Sequence, residues 1–295
     1  MDDIEIFENR LLTLKTGLSI SKIQDIITEK NLKGIRIFDM GEEYSIDYAD
    51  DLFKINNIQA VMLFGLNNYD FLYYIKGLKE LTIQIICADL DLLKLPRLVI
   101  LDSEWDKNFF KNLHTLQNLK YLSLGNFDGK YFEQITQLMN LEVLCLSSKN
   151  LKNISDINKL KELMSLFISD LGIQDISGIQ NNNKLKLLKF SNCRKLNDIS
   201  CISSLENLEL LVFDNCKNIQ SLKGLEKLKK LKQLQIWGTS KINDLDLSYI
   251  EHVENVFIQD PRKYNTKKLN KLNLYKNRIS ELSYIKQLNF YKELY

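Results

Sequence analysis

Leu141-Glu-Val-Leu144-Cys-Leu146, Leu163-Met-Ser-Leu166-Phe-Ile168 and Leu185-Lys-Leu-Leu188-Lys-Phe190 share one pattern. Their central leucines, together with Leu122, recur every 22 residues. A fixed period in this range is the signature of stacked repeats. Within each segment the alternation apolar, any residue, apolar has period two. Leu144 and Leu146 therefore point one way and Cys145 the other, as on a strand. Twelve segments of the chain obey this rule. Stacking them side by side buries one continuous core and leaves the intervening residues on an open sheet face.

The segments after Leu188 keep the pattern at Leu208/Leu211/Phe213, Leu231/Leu234/Ile236 and Val253/Val256/Ile258. The last unit is the fullest, running from Leu269 through Leu272, Leu274, Asn277, Ile279, Leu282 and Ile285 to Leu288. It reads L-x-x-L-x-L-x-x-N-x-I-x-x-L. With this motif the chain resembles the leucine-rich repeat family in its short, internalin-like bacterial form. The resemblance implies an α/β repeat solenoid, a curved array with a parallel concave sheet. It also implies binding to a protein partner across that sheet.

Between strands, Ile154 and Ile157, or Ile173, Ile176 and Ile179, are three residues apart. That spacing predicts short 3-10 or irregular return legs. Residues 35–117 read as degenerate repeats, with strands at Ile35/Ile37, Val61/Leu63, Leu81/Ile83 and Leu98/Ile100. Residues 1–34 are expected to form an N-terminal cap. Its helix runs from Ser19 to Lys30, with Ser19 or Ser21 as N-cap and a stop between Asn31 and Gly34. Residues 118–288 are the regular repeats and 289–295 a C-terminal cap, all within one domain of residues 1–295.

A net charge of +2 argues against a dedicated nucleic-acid binder. No window approaches ~18 consecutive apolar residues, so no membrane span is expected. The N-terminal Met-Asp-Asp-Ile-Glu-Ile is acidic where a secretory signal is basic. With five cysteines, an odd number, and no such signal, the expectation is a cytoplasmic protein with reduced thiols. An abundance of Lys, Asn, Ile and Tyr fits AT-rich, bacterial coding.

Cys193 and Cys216 take the position that Asn277 has in the last unit, where backbone groups leaving the strand need partners. They read as buried structural thiols. Zinc binding by Cys193, Cys201 and Cys216 lacks paired ligand spacing. Cys145 is expected on the concave side, and Cys87 in or near the core. His114 and His252 fall on return legs. No nucleophile elbow, phosphate loop or metalloprotease motif is present. No catalytic residue, metal, cofactor or small-molecule substrate is therefore expected.

The candidate partner-binding residues are those turned onto the concave face. Its aromatics are Tyr121, Phe167, Trp237, Phe257 and Tyr275, with Phe38 and Phe64 further up. Aromatics that a strand turns outward are common interface anchors, though they also pack on one another. Acids gather where strands end, at Asp39, Asp102, Asp170, Asp214 and Asp260, while lysines such as Lys223, Lys227 and Lys230 crowd the return legs. Such a rim steers a basic partner. Alternatively, each Asp caps its own turn. The expectation is a non-enzymatic protein-binding module. Alternatives are an immunity-type inhibitor of a basic toxin, a regulatory or targeting subunit of an enzyme, and a secreted adhesin.

Overall fold

The structure, a computed structural model, describes residues 4–38, 49–107, 110, 112–169, 172–264, 285, 286, 288 and 292. The chain divides into two compact units, Met1–Leu124 and Gly125–Leu294. Most of the last repeat, with Tyr275, lies outside the described residues, as do Asp39 and Asp170. Among the described residues no helix is long and apolar enough to cross a membrane.

In the first unit, β1 (Ile6–Phe7) and β2 (Leu11–Thr13) form an antiparallel hairpin, with Ile6 opposite Leu12. From β2 onward the pairing is parallel, through β3 (Gly34–Phe38), β4 (Ala60–Phe64), β5 (Glu80–Ile83) and β6 (Ile100–Glu104). β7 (Tyr121–Gly125) follows β6 in the sheet. Between β2 and β3, α1 (Ile20–Glu29) buries Ile23, Ile26 and Ile27. Ser19 is its N-cap, its hydroxyl accepting from the Lys22 N–H at 3.3 Å. Asn31, at φ 49°, ends the helix in the left-handed region. The expected helix is thus present. The hairpin before it was not anticipated, because two or three residues are too few to display a period.

One register needs correction. Leu98/Ile100 were expected to supply the fourth strand's core residues. The structure instead pairs Leu81 with Leu101 and Ile83 with Ser103. Leu98 is buried just before the strand. The physical reason is parity. Turning Leu98 and Ile100 inward as strand residues would turn Asp102 inward as well, at a severe desolvation cost. With the observed register, the core positions Val61, Leu81 and Leu101 follow a strict 20-residue period.

In the second unit, six parallel strands follow chain order. They are β8 (Val143–Ser147), β9 (Ser165–Ser169), β10 (Leu187–Ser191), β11 (Leu210–Asp214), β12 (Gln233–Trp237) and β13 (Asn255–Ile258). Leu144, Leu166, Leu188, Leu211, Leu234 and Val256 stand in register and are all buried. So does the second column: Leu146, Ile168, Phe190, Phe213, Ile236 and Ile258. This alternation yields the parallel sheet and repeat solenoid that the sequence led us to expect. A one-turn helix, α2 (Phe132–Ile135), serves as the return leg before β8.

The other return legs are short 3-10 turns, among them Ser155–Lys159, Ser177–Asn181, Ser200–Ser204 and Ser248–Ile250. Each is opened by an Asx side chain that accepts an N–H two residues on: Asn153 from Ser155, Asp175 from Ser177, Asp198 from Ser200 and Asp246 from Ser248. These bonds hold the Asp175 and Asp198 carboxyls below the usual carboxylate range. The chain leaves β10, β11 and β12 through Asn192, Asn215 and Gly238, all at φ near +56°. Asn and Gly are the residues that tolerate this left-handed turn.

Candidate functional site

The strands of the second unit place alternate residues on the face opposite the core. In register across that face stand Ser165, Leu187, Leu210, Gln233 and Asn255, then Phe167, Lys189, Val212, Gln235 and Phe257. Leu187, Leu210 and Val212 are buried and form one apolar cluster, with Phe167 and Trp237 packed against it. This cluster lies on the sheet face away from the leucine columns, so it constitutes a second, smaller apolar surface.

Trp237 anchors the edge of this surface. Its ring stacks on Phe257 with centroids 3.8 Å apart and planes inclined by 26°. Its Nε1–H donates to Gln235 Oε1 at 2.7 Å. That bond fixes the orientation of the Gln235 amide, because a flipped amide would set two donors against each other. Gln235 is 1% exposed, and among the described residues its Nε2 has no hydrogen-bond partner. A buried donor without an acceptor costs about 1–3 kcal/mol.

The sequence-predicted site residues are distributed as follows. Phe167, Trp237 and Phe257 are brought together on this face and stay half-exposed. Asp214 is the β11 residue opposite Trp237 and accepts from the Asn215 amide at 3.0 Å. Asp260 follows β13 and accepts from Arg262 Nε at 3.1 Å. Tyr121 belongs to the first unit and is half-exposed there. Asp102 does not sit at a strand end. It occupies the middle outward position of β6, between Leu101 and Ser103. The acid column is therefore interrupted at that point.

Strand parity places Leu187, Leu210, Val212 and Gln235 on this face from sequence, but does not show their burial there. The apolar character of the face is legible in the runs Leu187-Leu188 and Leu210-Leu211-Val212-Phe213. A strand with one buried face alternates; a continuous apolar run means that both faces are covered or adhesive.

The outward face of the first unit mixes apolar side chains, Phe38 stacking on Phe64 with centroids 4.4 Å apart, with charged ones, some of them paired. Arg10 grips Glu80 through two bonds of 2.9 Å. Arg36 donates to Thr13 and Glu5, its guanidinium 4.3 Å from the Phe7 ring centroid and 4.7 Å from that of Phe38. Burial raises the Asp102 carboxyl above the ordinary Asp value. The Ser123 hydroxyl opposes this rise, and the charges of Glu104 and Glu80 add to it.

The thiols are structural where the repeat required partners for the turn. Cys193 and Cys216 are fully buried. Their Sγ atoms contact the carbonyls of Ser191 at 3.4 Å and Asp214 at 3.5 Å. The Cys193 thiol lowers that of Cys216 by hydrogen bonding. Cys201 is pushed up to about 12, chiefly by burial. Cys145 is half-exposed on the outward face. Cys87, expected in or near the core, is exposed instead. The apolar run Ile83-Gln-Ile85-Ile86-Cys87 outlasts β5, which ends at Ile83. Among the described residues no group of three or more His, Cys, Asp or Glu side chains is placed to hold a metal. His114 lies in the 3-10 turn Leu113–Thr115, and the His252 ring contacts the Leu228 carbonyl at 3.0 Å.

The architecture matches solved leucine-rich repeat structures. An internalin, inlF from Listeria monocytogenes, superposes with a TM-score of 0.55 at 18% identity, over 91% of this chain and 86% of that one. The mouse RP105/MD-1 complex gives a TM-score of 0.50 at 16% identity, over 77% of this chain and 46% of that one. The internalin C2 of Listeria monocytogenes gives 0.44 at 18% identity, over 66% of this chain and 84% of that one. No family model and no curated protein sequence matches. At 16–18% identity the likeness to inlF and to the RP105/MD-1 complex shows the fold alone, a leucine-rich repeat solenoid.

Proposed function

We propose that this protein is a binding module that takes a protein partner on the outward sheet face of its second unit. The contact would centre on Trp237 and Phe257, with Phe167, Leu187, Leu210 and Val212 as its apolar floor. The single observation that carries this reading is the stacked, half-buried Trp237–Phe257 pair at the edge of a buried apolar cluster, with Phe167 packed on the same cluster. Aromatic side chains presented on a firm apolar floor are common interface anchors.

The earlier idea of a basic partner drew on a column of acids. With Asp102 outside that column, its support on this face comes from Asp214 and Asp260. The apolar patch, not the acids, carries the proposal. The test is a pull-down from native lysate with the intact chain and with Trp237→Ala plus Phe257→Ala. A Lys152→Ala variant serves as control, on an exposed return leg. The reading predicts a partner retained by the wild type and the control and lost by the double variant. Equal retention by all three would refute it.

A further inference from the structure

The return legs of the first unit carry a second surface of different chemistry. Residues 53–58, 73–78 and 93–98 repeat one burial pattern at the 20-residue period. Ile55, Ile75 and Leu95 are buried, as are Ile58, Leu78 and Leu98. The residues between them are turned outward. Phe53 (43% exposed), Tyr74 (62%) and Leu93 (56%) are large apolar side chains in solvent. Phe53 and Tyr74 meet, with ring centroids 5.6 Å apart, and make an exposed patch; Leu93 stands exposed on the next coil.

Two adjacent hollows open on this patch. One, of ≈ 530 Å³, is walled by Phe53, Lys54, Tyr73, Tyr74 and Lys76 over Ile55, Ile58 and Ile75. Its neighbour, of ≈ 340 Å³, lies between Tyr73, Lys76, Lys94, Pro96 and Arg97 over Ile75, Leu78 and Leu95. They share Tyr73, Ile75 and Lys76. Among the described residues, every charged one lining either hollow is a cation. Lys54 is paired with Asp51 at 2.7 Å, and Lys94 sits 4.5 Å from the Tyr73 ring centroid. Arg97 donates to the Lys76 carbonyl at 2.9 Å, which leaves the rest of its guanidinium for another acceptor. Lys76 is exposed, and among the described residues neither it nor Arg97 has an ion-pair partner.

We propose that this edge of the first unit is a docking surface for an acidic protein segment that carries aromatic or aliphatic side chains. The aliphatic floors accept the apolar side chains, and the unpaired cations on the rim accept the carboxylates. A single-stranded nucleic acid fits less well. Base stacking needs flat platforms, and here Phe53 and Tyr74 are tilted 49° to each other, with the Lys94 ammonium lying against the Tyr73 ring. The surface is independent of the outward face of the second unit, so either proposal can fail alone.

The test uses the full chain and a fluorescein-labelled peptide, Asp-Phe-Glu-Leu-Asp-Phe-Glu, in an anisotropy titration. Lys76 borders both hollows, so Lys76→Glu should weaken binding about tenfold or more, as expected for loss of a charge-assisted contact. Tyr74→Ala should weaken it as well, and both variants should keep the wild-type circular dichroism. The Trp237→Ala plus Phe257→Ala variant should bind the peptide normally. Peptide binding that is absent, or unchanged by Lys76→Glu, overturns the proposal. So does equal binding of the same peptide with Lys in place of each acid. Tighter, Lys76-dependent binding of oligo-dT or phosphatidylserine vesicles overturns the assignment to a protein segment.

Discussion

Leu166 and Phe167 are neighbours in sequence and lie on opposite faces of one strand. Leu166 is 0% exposed, in register between Leu144 and Leu188. Its truncation to Ala removes transfer free energy and leaves a void, because the backbones of β8 and β10 hold the flanking coils apart. The combined cost is about 2–5 kcal/mol. Phe167 is half-exposed against Leu187, Leu210 and Val212. Losing its partial burial costs about 1–2 kcal/mol. The assay is urea unfolding in a Trp105→Phe background, so that Trp237, in the same unit as both residues, is the fluorescent reporter. The midpoint should fall clearly further for Leu166→Ala than for Phe167→Ala. A Leu166→Ala cost below about 1 kcal/mol, or a larger cost for Phe167→Ala, would refute the assignment of the two faces.

Three further outcomes follow from local chemistry. Asp102 has a folded pKa above its unfolded value, so the folded state binds the proton more tightly and stability falls as pH rises through that window. Asp102→Asn, whose amide oxygen still accepts from Ser123, should remove this slope and be at least as stable at pH 7, read from urea midpoints across pH. Asn182 is buried in a column otherwise filled by Leu160, Leu205 and Leu228, and among the described residues its Oδ1 has no partner. The carbonyls it donates to, those of Ile157 and Leu160, already accept from Leu160 and Leu163. Asn182→Leu should therefore stabilise the chain by about 1–2 kcal/mol in thermal melts. In a thiol-reagent time course near pH 8 the exposed Cys87 should react promptly. Cys201, held protonated to about 12, should lag, and Cys193 and Cys216 should wait for unfolding.

Period and parity carried most of the fold into view before any coordinates. Leu122, Leu144, Leu166 and Leu188 announce the stack by their fixed 22-residue spacing, even where a neighbour such as Val143, Phe167 or Leu187 is also apolar. Parity failed at Leu98–Leu101, where four apolar residues in a row hide the alternation, and only Asp102 betrays the register. At Cys87 it failed because an apolar run continued past the strand. The aromatic part of the candidate site was readable, since Phe167, Trp237 and Phe257 share one parity. Parity also puts Leu187, Leu210, Val212 and Gln235 on that face. Their burial there is a property of three-dimensional neighbours that the sequence does not show. Of the acids expected at strand ends, Asp214 closes β11 while Asp102 lies in mid-strand; Asp175 and Asp198, which open return legs, were not among those named.

Hydroxyl-radical footprinting of the native chain, read by mass spectrometry, tests the two-faced strand most directly. Phe190 and Phe213 are fully buried, whereas Phe167, Trp237 and Phe257 on strands of the same sheet are half-exposed. The account predicts protection of the first pair, oxidation of the other three, and loss of labelling at Trp237 and Phe257 once the captured partner is added. Oxidation of Phe190 and Phe213 at rates equal to those of Trp237 and Phe257, or partner binding that leaves Trp237 and Phe257 fully labelled, would contradict it.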